Sequence, residues 1–132
     1  MKNITLILIA AIFFATTSCN KSSDDNPDVT NYTIKYSFVS TGNVTVDTIA
    51  YVDVNGEEKY VFGETQFSHS FTQPSNNYKA KFYVSLVNSD NGSCNYSNSV
   101  DNEEGLSVSL KLHDTSFPGT YRWGSEFSHS EN

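Results

Sequence analysis

The stretch YKAKFYVSL, residues 78–86, carries the clearest structural signal in the chain. Every second residue is apolar, and the residues between them are lysine, tyrosine and serine, so the hydrophobic period is two. A strand with this period buries one face and turns the other towards solvent. We therefore predict a half-buried strand whose inner face consists of Tyr78, Ala80, Phe82, Val84 and Leu86.

The same period recurs on both sides of this stretch. Upstream it covers residues 32–38, 44–54, 57–62 and 65–72, and downstream residues 94–100 and 106–112. Turn residues separate these segments about every 8–12 residues, which is typical of an antiparallel sandwich or barrel. The fold class expected is all-β, a small antiparallel β-sandwich of about seven strands with an immunoglobulin-like arrangement.

Turn chemistry marks the expected strand ends. Residues 40–43 (STGN) and 89–93 (SDNGS) read as turns, and Asn55-Gly56 reads as a two-residue type I′ hairpin turn. The segment from Val44 to Val54 changes phase, because its apolar residues fall on both parities. A β-bulge near Asp47-Thr48 would reconcile the two parities.

Length and charge limit the possible functions. The 132 residues allow one domain, and 15 acidic against 8 basic side chains give a net charge of -7. A nucleic-acid binder must bring positive charge to the phosphates, so we expect no nucleic-acid partner. The same balance argues against adhesion to anionic lipid headgroups.

The N-terminus reads as a processing signal. Residues 1–18 combine a basic start, a short apolar run from Ile4 to Ala15 and small residues before Cys19. The run is shorter than the roughly 20 residues that a membrane-spanning helix needs. Residues 16–19 resemble a lipobox, the site at which bacterial lipoproteins are cleaved and the new N-terminal cysteine is acylated, although Thr16 stands where an aliphatic residue is usual.

This resemblance implies a lipid-anchored protein. The residues after the cysteine look like the export signal of Bacteroidota-type surface lipoproteins, which comprises here Lys21, Ser22, Ser23, Asp24 and Asp25. We therefore expect the outer membrane as location and the membrane as a partner through acylated Cys19, with the domain exposed at the surface or, alternatively, facing the periplasm.

Four regions follow from these patterns. Residues 1–18 are the cleaved signal, and residues 19–31 are the lipidated cysteine and a polar, disordered tether. Residues 32–113 form the β-sandwich. Residues 114–132 are an aromatic and serine-rich tail that either adds an edge strand or stays loose.

One fold resemblance covers the first half of the sandwich. Residues 32–36 (YTIKY), 46–51, the Asn55-Gly56 turn and residues 67–72 (FSHSFT) resemble, in this order, the MmpS-type β-sandwich domain. The resemblance implies the fold alone, and no functional residue is transferred from it.

Signatures of chemistry are scarce. His69, His113 and His129 lie in separate segments without the spacing of metal ligands, so we expect no metal, no cofactor and no catalytic residue. His69 is in phase with Phe67 and Phe71, which predicts a partly buried strand histidine. Cys94 is interpreted as a half-buried strand cysteine, with a Cys19–Cys94 disulfide as the alternative if Cys19 carries no lipid. The acidic loop 101–105 is interpreted as solvated.

The remaining candidates concern binding and modification. Tyr121, Arg122 and Trp123 are a possible ligand contact, because exposed aromatics offer large contact area at low entropic cost. Thr48 lies in Asp47-Thr48-Ile49, which resembles an acceptor triplet for O-glycosylation in Bacteroidota-type exported proteins. The function expected is that of a non-enzymatic binding or accessory module with a protein partner. The alternatives are a glycan-binding surface protein, or an inhibitor or immunity protein that blocks a basic partner.

Overall fold

A computed structural model describes residues 30–74, 77–114 and 117–130. All six of its strands pair antiparallel, and these residues contain no helix, so the predicted all-β antiparallel fold is confirmed. In this part of the chain nothing helical has the length or apolarity to cross a bilayer. The strands are β1 (Asn31–Val52), β2 (Glu58–Phe62), β3 (Gln66–Pro74), β4 (Asn77–Asn102), β5 (Ser107–Asp114) and β6 (Phe117–Ser130).

The two long strands β1 and β4 form the centre of the sheet. They pair over almost their whole length, from Tyr32 opposite Asn102 to Tyr51 opposite Phe82. The first half of β1 and the second half of β4 are flanked by β3 and β5, which gives a first layer of order β3-β1-β4-β5. The other halves are flanked by β2 and β6, which gives a second layer of order β2-β1-β4-β6.

Aromatic rings from the two layers meet in the core. The ring of Phe82, from the second layer, lies 5.1 Å from that of Tyr36 and 4.8 Å from that of Tyr96, both from the first layer. The Tyr36 hydroxyl donates to the Val52 carbonyl at 3.0 Å, and the Tyr96 hydroxyl donates to the Phe82 carbonyl at 2.7 Å. The large tyrosine rings are therefore buried without leaving their hydroxyl groups unpaired.

The two internal turns predicted at residues 40–43 and 89–93 are wrong. Strands β1 and β4 continue through them, and Thr41 and Asn43 pair with Ser93 and Asp90 with a register shift between the two pairs. Gly42 has a φ of 79°, which the bulged backbone needs. The two segments lie opposite each other where the ribbon passes from one layer to the other, so their turn-forming residues bend the ribbon instead of reversing the chain.

The predicted bulge in β1 and the hairpin after it are both present. A register shift between Val46 and Thr48 confirms the predicted bulge. A hairpin does join β1 to β2, but its turn type differs from the prediction. The Asp53 amide donates to the Glu57 carbonyl at 2.9 Å, so three residues separate the closing pair instead of two.

The topology repeats itself. In β1-β2-β3, a hairpin joins the long strand β1 to β2, which pairs with its second half, and β3 then pairs with its first half. The strands β4-β5-β6 are arranged in the same way. The two hairpin loops also match, because the Asp53 side chain accepts the Glu57 amide and the Asn102 side chain accepts the Leu106 amide. The short echo FSHS, at residues 67–70 and 127–130, therefore lies in topologically equivalent strands.

Histidine and cysteine side chains in the sheet are covered by their neighbours. His69 is half-buried, with its ring 5.0 Å from that of Tyr51 and 5.5 Å from that of Phe71, as the phase of its strand predicted. Cys94 is fully buried instead of half-buried as predicted, and it has no disulfide partner among the residues that the structure describes. Burial, with a smaller contribution from Asp114, raises the pKa of the Cys94 thiol to about 11.

This shift predicts a loss of stability at alkaline pH. The unfolded thiol ionises near its ordinary pKa of about 8.5, while the folded thiol keeps its proton up to about 11. The free energy of unfolding should therefore fall as the pH rises through this window, by on the order of 2 kcal/mol. Urea unfolding at several pH values between 8 and 11 measures it, and Cys94→Ala should make the curve less steep, with the slope that remains above pH 10 due to buried tyrosines such as Tyr96. An unchanged slope in this variant would contradict the assignment.

Candidate binding face

The outer side of the second layer carries two exposed aromatic side chains, together with a half-buried tyrosine and an arginine. Tyr60 and Phe62 lie on the edge strand β2 and are 55% and 69% exposed. Tyr83 lies on β4, and Arg122 lies on β6. We call these four side chains the aromatic face. Val61 points the other way and packs against the core, as strand alternation requires.

A glycine fixes the position of Tyr83. Gly124 lies directly opposite Tyr83 in the β4–β6 pairing, and a Cβ atom at residue 124 would overlap the tyrosine ring. The ring therefore occupies the space that a side chain at residue 124 would need, so only a glycine leaves room for it. The Arg122 guanidinium lies over the Tyr83 ring, with its Cζ atom 4.6 Å from the ring centroid.

Charged side chains border the rings. The Lys81 ammonium lies 3.1 Å from a carboxylate oxygen of Glu58 and 5.6 Å from the Tyr83 centroid. Hydrogen bonds donated by Lys81 and, to a smaller extent, by Tyr60 lower the pKa of the Glu58 carboxyl. The Tyr60–Glu58 hydrogen bond in turn raises the pKa of Tyr60. Glu58 thus ties the tyrosine of β2 to the lysine of β4 across the intervening strand β1.

Arg122 differs from the lysines around it. Lys81 is paired with Glu58, and Lys79 lies 3.4 Å from Glu126. Within residues 30–74, 77–114 and 117–130, no carboxylate lies within 4.0 Å of the Arg122 guanidinium. The aromatic face therefore presents a fixed positive charge whose hydrogen-bond donors are not taken up by an acidic side chain.

Two buried polar side chains of the first layer, Tyr96 and Asn98, hold the edge strand β6 in place through Ser125. The Tyr96 hydroxyl lies 2.9 Å from the Ser125 hydroxyl, and the Asn98 amide donates to that hydroxyl at 2.8 Å. Burial raises the pKa of Tyr96 to about 12, so its hydroxyl stays protonated at physiological pH. These bonds position Ser125, the residue that follows Gly124, and so fix the strand that carries Arg122.

The structure separates the ligand contact that the sequence predicted. Tyr121 and Trp123 share one side of β6, opposite Leu86 and Val84, and Trp123 packs against the core. Arg122 points to the other side, towards Tyr83. Only Arg122 of the three belongs to the aromatic face. Tyr121 is exposed, but at the inner side of the edge strand.

Sequence reasoning missed Tyr60 and Phe62. The alternation of residues 58–62 was visible, but both parities contain apolar side chains, so it did not tell which one faces outward. The alternation of residues 78–86 places Tyr83 on the side opposite to Phe82 and Val84, and the structure confirms this.

The remaining predicted positions lie elsewhere. Cys19 and the export signal at residues 21–25 fall outside the described residues. Thr48 is half-buried on β1 next to Phe62, and its hydroxyl donates to Asp47 at 2.9 Å, so its glycosylation stays a prediction. A depression of about 220 Å³, lined in part by Lys111 and His113, lies at the first layer. The described part of the chain contains no group of three metal-ligating side chains.

Comparison with known proteins gives no further assignment. No protein family, curated protein or solved structure matches this chain. The resemblances to lipoproteins and to the MmpS-type domain therefore stay predictions.

Proposed function

We propose that this chain is a lipid-anchored, non-enzymatic binding module of a bacterial outer membrane, and that it holds its ligand on the aromatic face. The observation that supports this is the exposure of Tyr60 and Phe62 on the side of the second layer that also carries Tyr83 and Arg122. Single exposed apolar residues are common, but aromatic rings collected on one sheet face indicate an interaction surface.

The side chains suited to chemistry favour binding over catalysis. The Cys94 thiol is buried and its pKa is raised to about 11, which disfavours the nucleophilic thiolate. His69, on β3, is half-buried between the rings of Tyr51 and Phe71. His113 and His129 lie on other strands, β5 and β6. By contrast, tyrosine and arginine are the residues most often found at energetic centres of binding surfaces.

The anchor explains how such a module would be used. A diacylated or triacylated Cys19 holds the protein stably at a membrane, since each buried methylene contributes about 0.8 kcal/mol. Asn31 belongs to β1, so the 11 residues from Asn20 to Thr30 then give a polar tether whose length, at about 3.3 Å per residue, is at most ~36 Å. The aromatic face can therefore reach ligands near the membrane surface.

The anchor and the binding face are tested in the same cells. We expect wild-type protein in the membrane fraction with an acylated mass, and Cys19→Ala without acyl mass and released from the membrane. Hydroxyl-radical footprinting then compares intact cells with the purified full chain. Tyr60 and Phe62 should be oxidised several-fold less in cells, because the ligand covers them.

Tyr121 is the internal control for this comparison. It is an exposed aromatic residue of the same layer, but it points away from the aromatic face. Its oxidation should be equal in cells and in purified protein. Equal oxidation of Tyr60 and Phe62 in both samples would show that nothing covers the face, and membrane retention of Cys19→Ala would overturn the anchor.

A further inference from the structure

We infer that the ligand of the aromatic face is an acidic polysaccharide, with a sugar carboxylate on Arg122 and sugar rings stacked on Tyr60 and Phe62. This inference rests on the proposed function and specifies its ligand class. It follows from the combination of exposed rings with an arginine that is stacked on Tyr83 and has no acidic partner among the described residues.

The exposed rings fit the apolar faces of sugars. A pyranose ring has a face of C–H bonds, which packs favourably on the electron-rich face of an aromatic ring. Tyr60 and Phe62 are two residues apart on β2, so their Cα atoms are separated by about 6.8 Å along the strand. Their backbone is held in the sheet, so little conformational entropy is lost when the sugars bind.

Arg122 supplies the charge selectivity. Its guanidinium is held on Tyr83 at 4.6 Å, and the described chain places no carboxylate within 4.0 Å of it. A planar guanidinium binds a carboxylate through two parallel hydrogen bonds. The lysines of the same side, Lys79 and Lys81, are paired with Glu126 and Glu58, so among these described cations the charge open to a ligand is that of Arg122.

The spacing of these groups favours a polymer over a small molecule. Strands β1 and β4 lie between β2 and β6, so the backbones that carry the aromatic rings of β2 and Arg122 are separated by three strand spacings, about 14 Å. Small ligands are usually buried in clefts, whereas this surface is the outer side of a sheet. A chain of several sugars can contact both ends.

The net charge of -7 disfavours long-range attraction of a polyanion. Recognition therefore has to come from the short-range pair with Arg122 and from the rings.

Polygalacturonate and its methyl ester are a matched pair of probes for this inference, because they share one sugar chain and differ in the carboxylate charge. The full acylated chain in detergent micelles is titrated with each in a binding assay. We expect at least tenfold tighter binding of polygalacturonate, and Arg122→Gln should remove this preference. Tyr60→Ala and Phe62→Ala should weaken binding of both glycans.

Lys111→Gln provides the matched control. It removes an exposed cation of the first layer, on β5, and should leave both affinities unchanged. Equal weakening by Lys111→Gln and Arg122→Gln would overturn the inference, as would unchanged binding in Phe62→Ala. If neither glycan binds while Tyr60 and Phe62 are protected in cells, the ligand is of another class, such as a protein, and only the proposed function survives.

Discussion

Phe82→Ala is expected to lower the free energy of unfolding by about 3–5 kcal/mol, as is typical for removal of a buried aromatic ring. The Phe82 side chain is fully buried and lies between Tyr36 and Tyr96. It also contacts Phe67, at 5.7 Å between ring centroids. Because these rings come from both layers, the cavity would loosen the contact between the layers as well as the second layer itself.

Phe62→Ala is the matched control, since it is the same substitution on an exposed ring of the same layer. It should change the free energy of unfolding by less than about 0.5 kcal/mol. Equilibrium urea unfolding of both full-chain variants in the same detergent measures the difference. Similar losses in the two variants would show that Phe82 is not at the centre of the fold. A stable Phe62→Ala variant also qualifies that protein for the glycan experiment.

The inner face of β4 shows how far sequence pattern alone can reach. All five residues that the alternation of residues 78–86 predicted to be inside are buried. Here the outer positions are mostly lysine and serine, so burial of the other set is the only favourable choice. The bulge near Thr48 was predictable for the same reason, because the change of phase required it.

The turns show where the pattern stops. Gly42 and Asn43 have turn chemistry, and a local argument cannot distinguish a chain reversal from a bend in a long strand. The difference is decided by pairing over distance, since Asn43 lies opposite Asp90 in a ribbon that continues on both sides. Non-local pairing of this kind leaves no signal in a short window of sequence.

The aromatic face was only partly predictable for a related reason. In Tyr121-Arg122-Trp123 the alternation of the strand separates the arginine from both aromatics, and the sequence does not state which side will face the core. Arg122 finds its aromatic partner in Tyr83, 39 positions earlier in the chain. The stack depends on Gly124, whose role becomes visible only in the pairing of β4 with β6.

Gly124→Ala is therefore expected to lower the free energy of unfolding by about 1–3 kcal/mol, the usual cost of overpacking. The φ of Gly124 is not positive, so the backbone itself accepts alanine. Without Tyr83, alanine in a strand would be favoured over glycine by about 0.5–1 kcal/mol. The expected loss comes entirely from the new methyl group, which occupies the place of the Tyr83 ring.

The double variant Tyr83→Ala/Gly124→Ala tests this cause directly. In the Tyr83→Ala background, Gly124→Ala should be neutral or stabilising, so the sign of its effect reverses, and urea unfolding of the four proteins measures the coupling. A loss of the same size in both backgrounds would refute the proposed contact. Gly124→Ala should also displace the ring beneath the guanidinium and weaken polygalacturonate binding, because Arg122 would lose the surface that orients it.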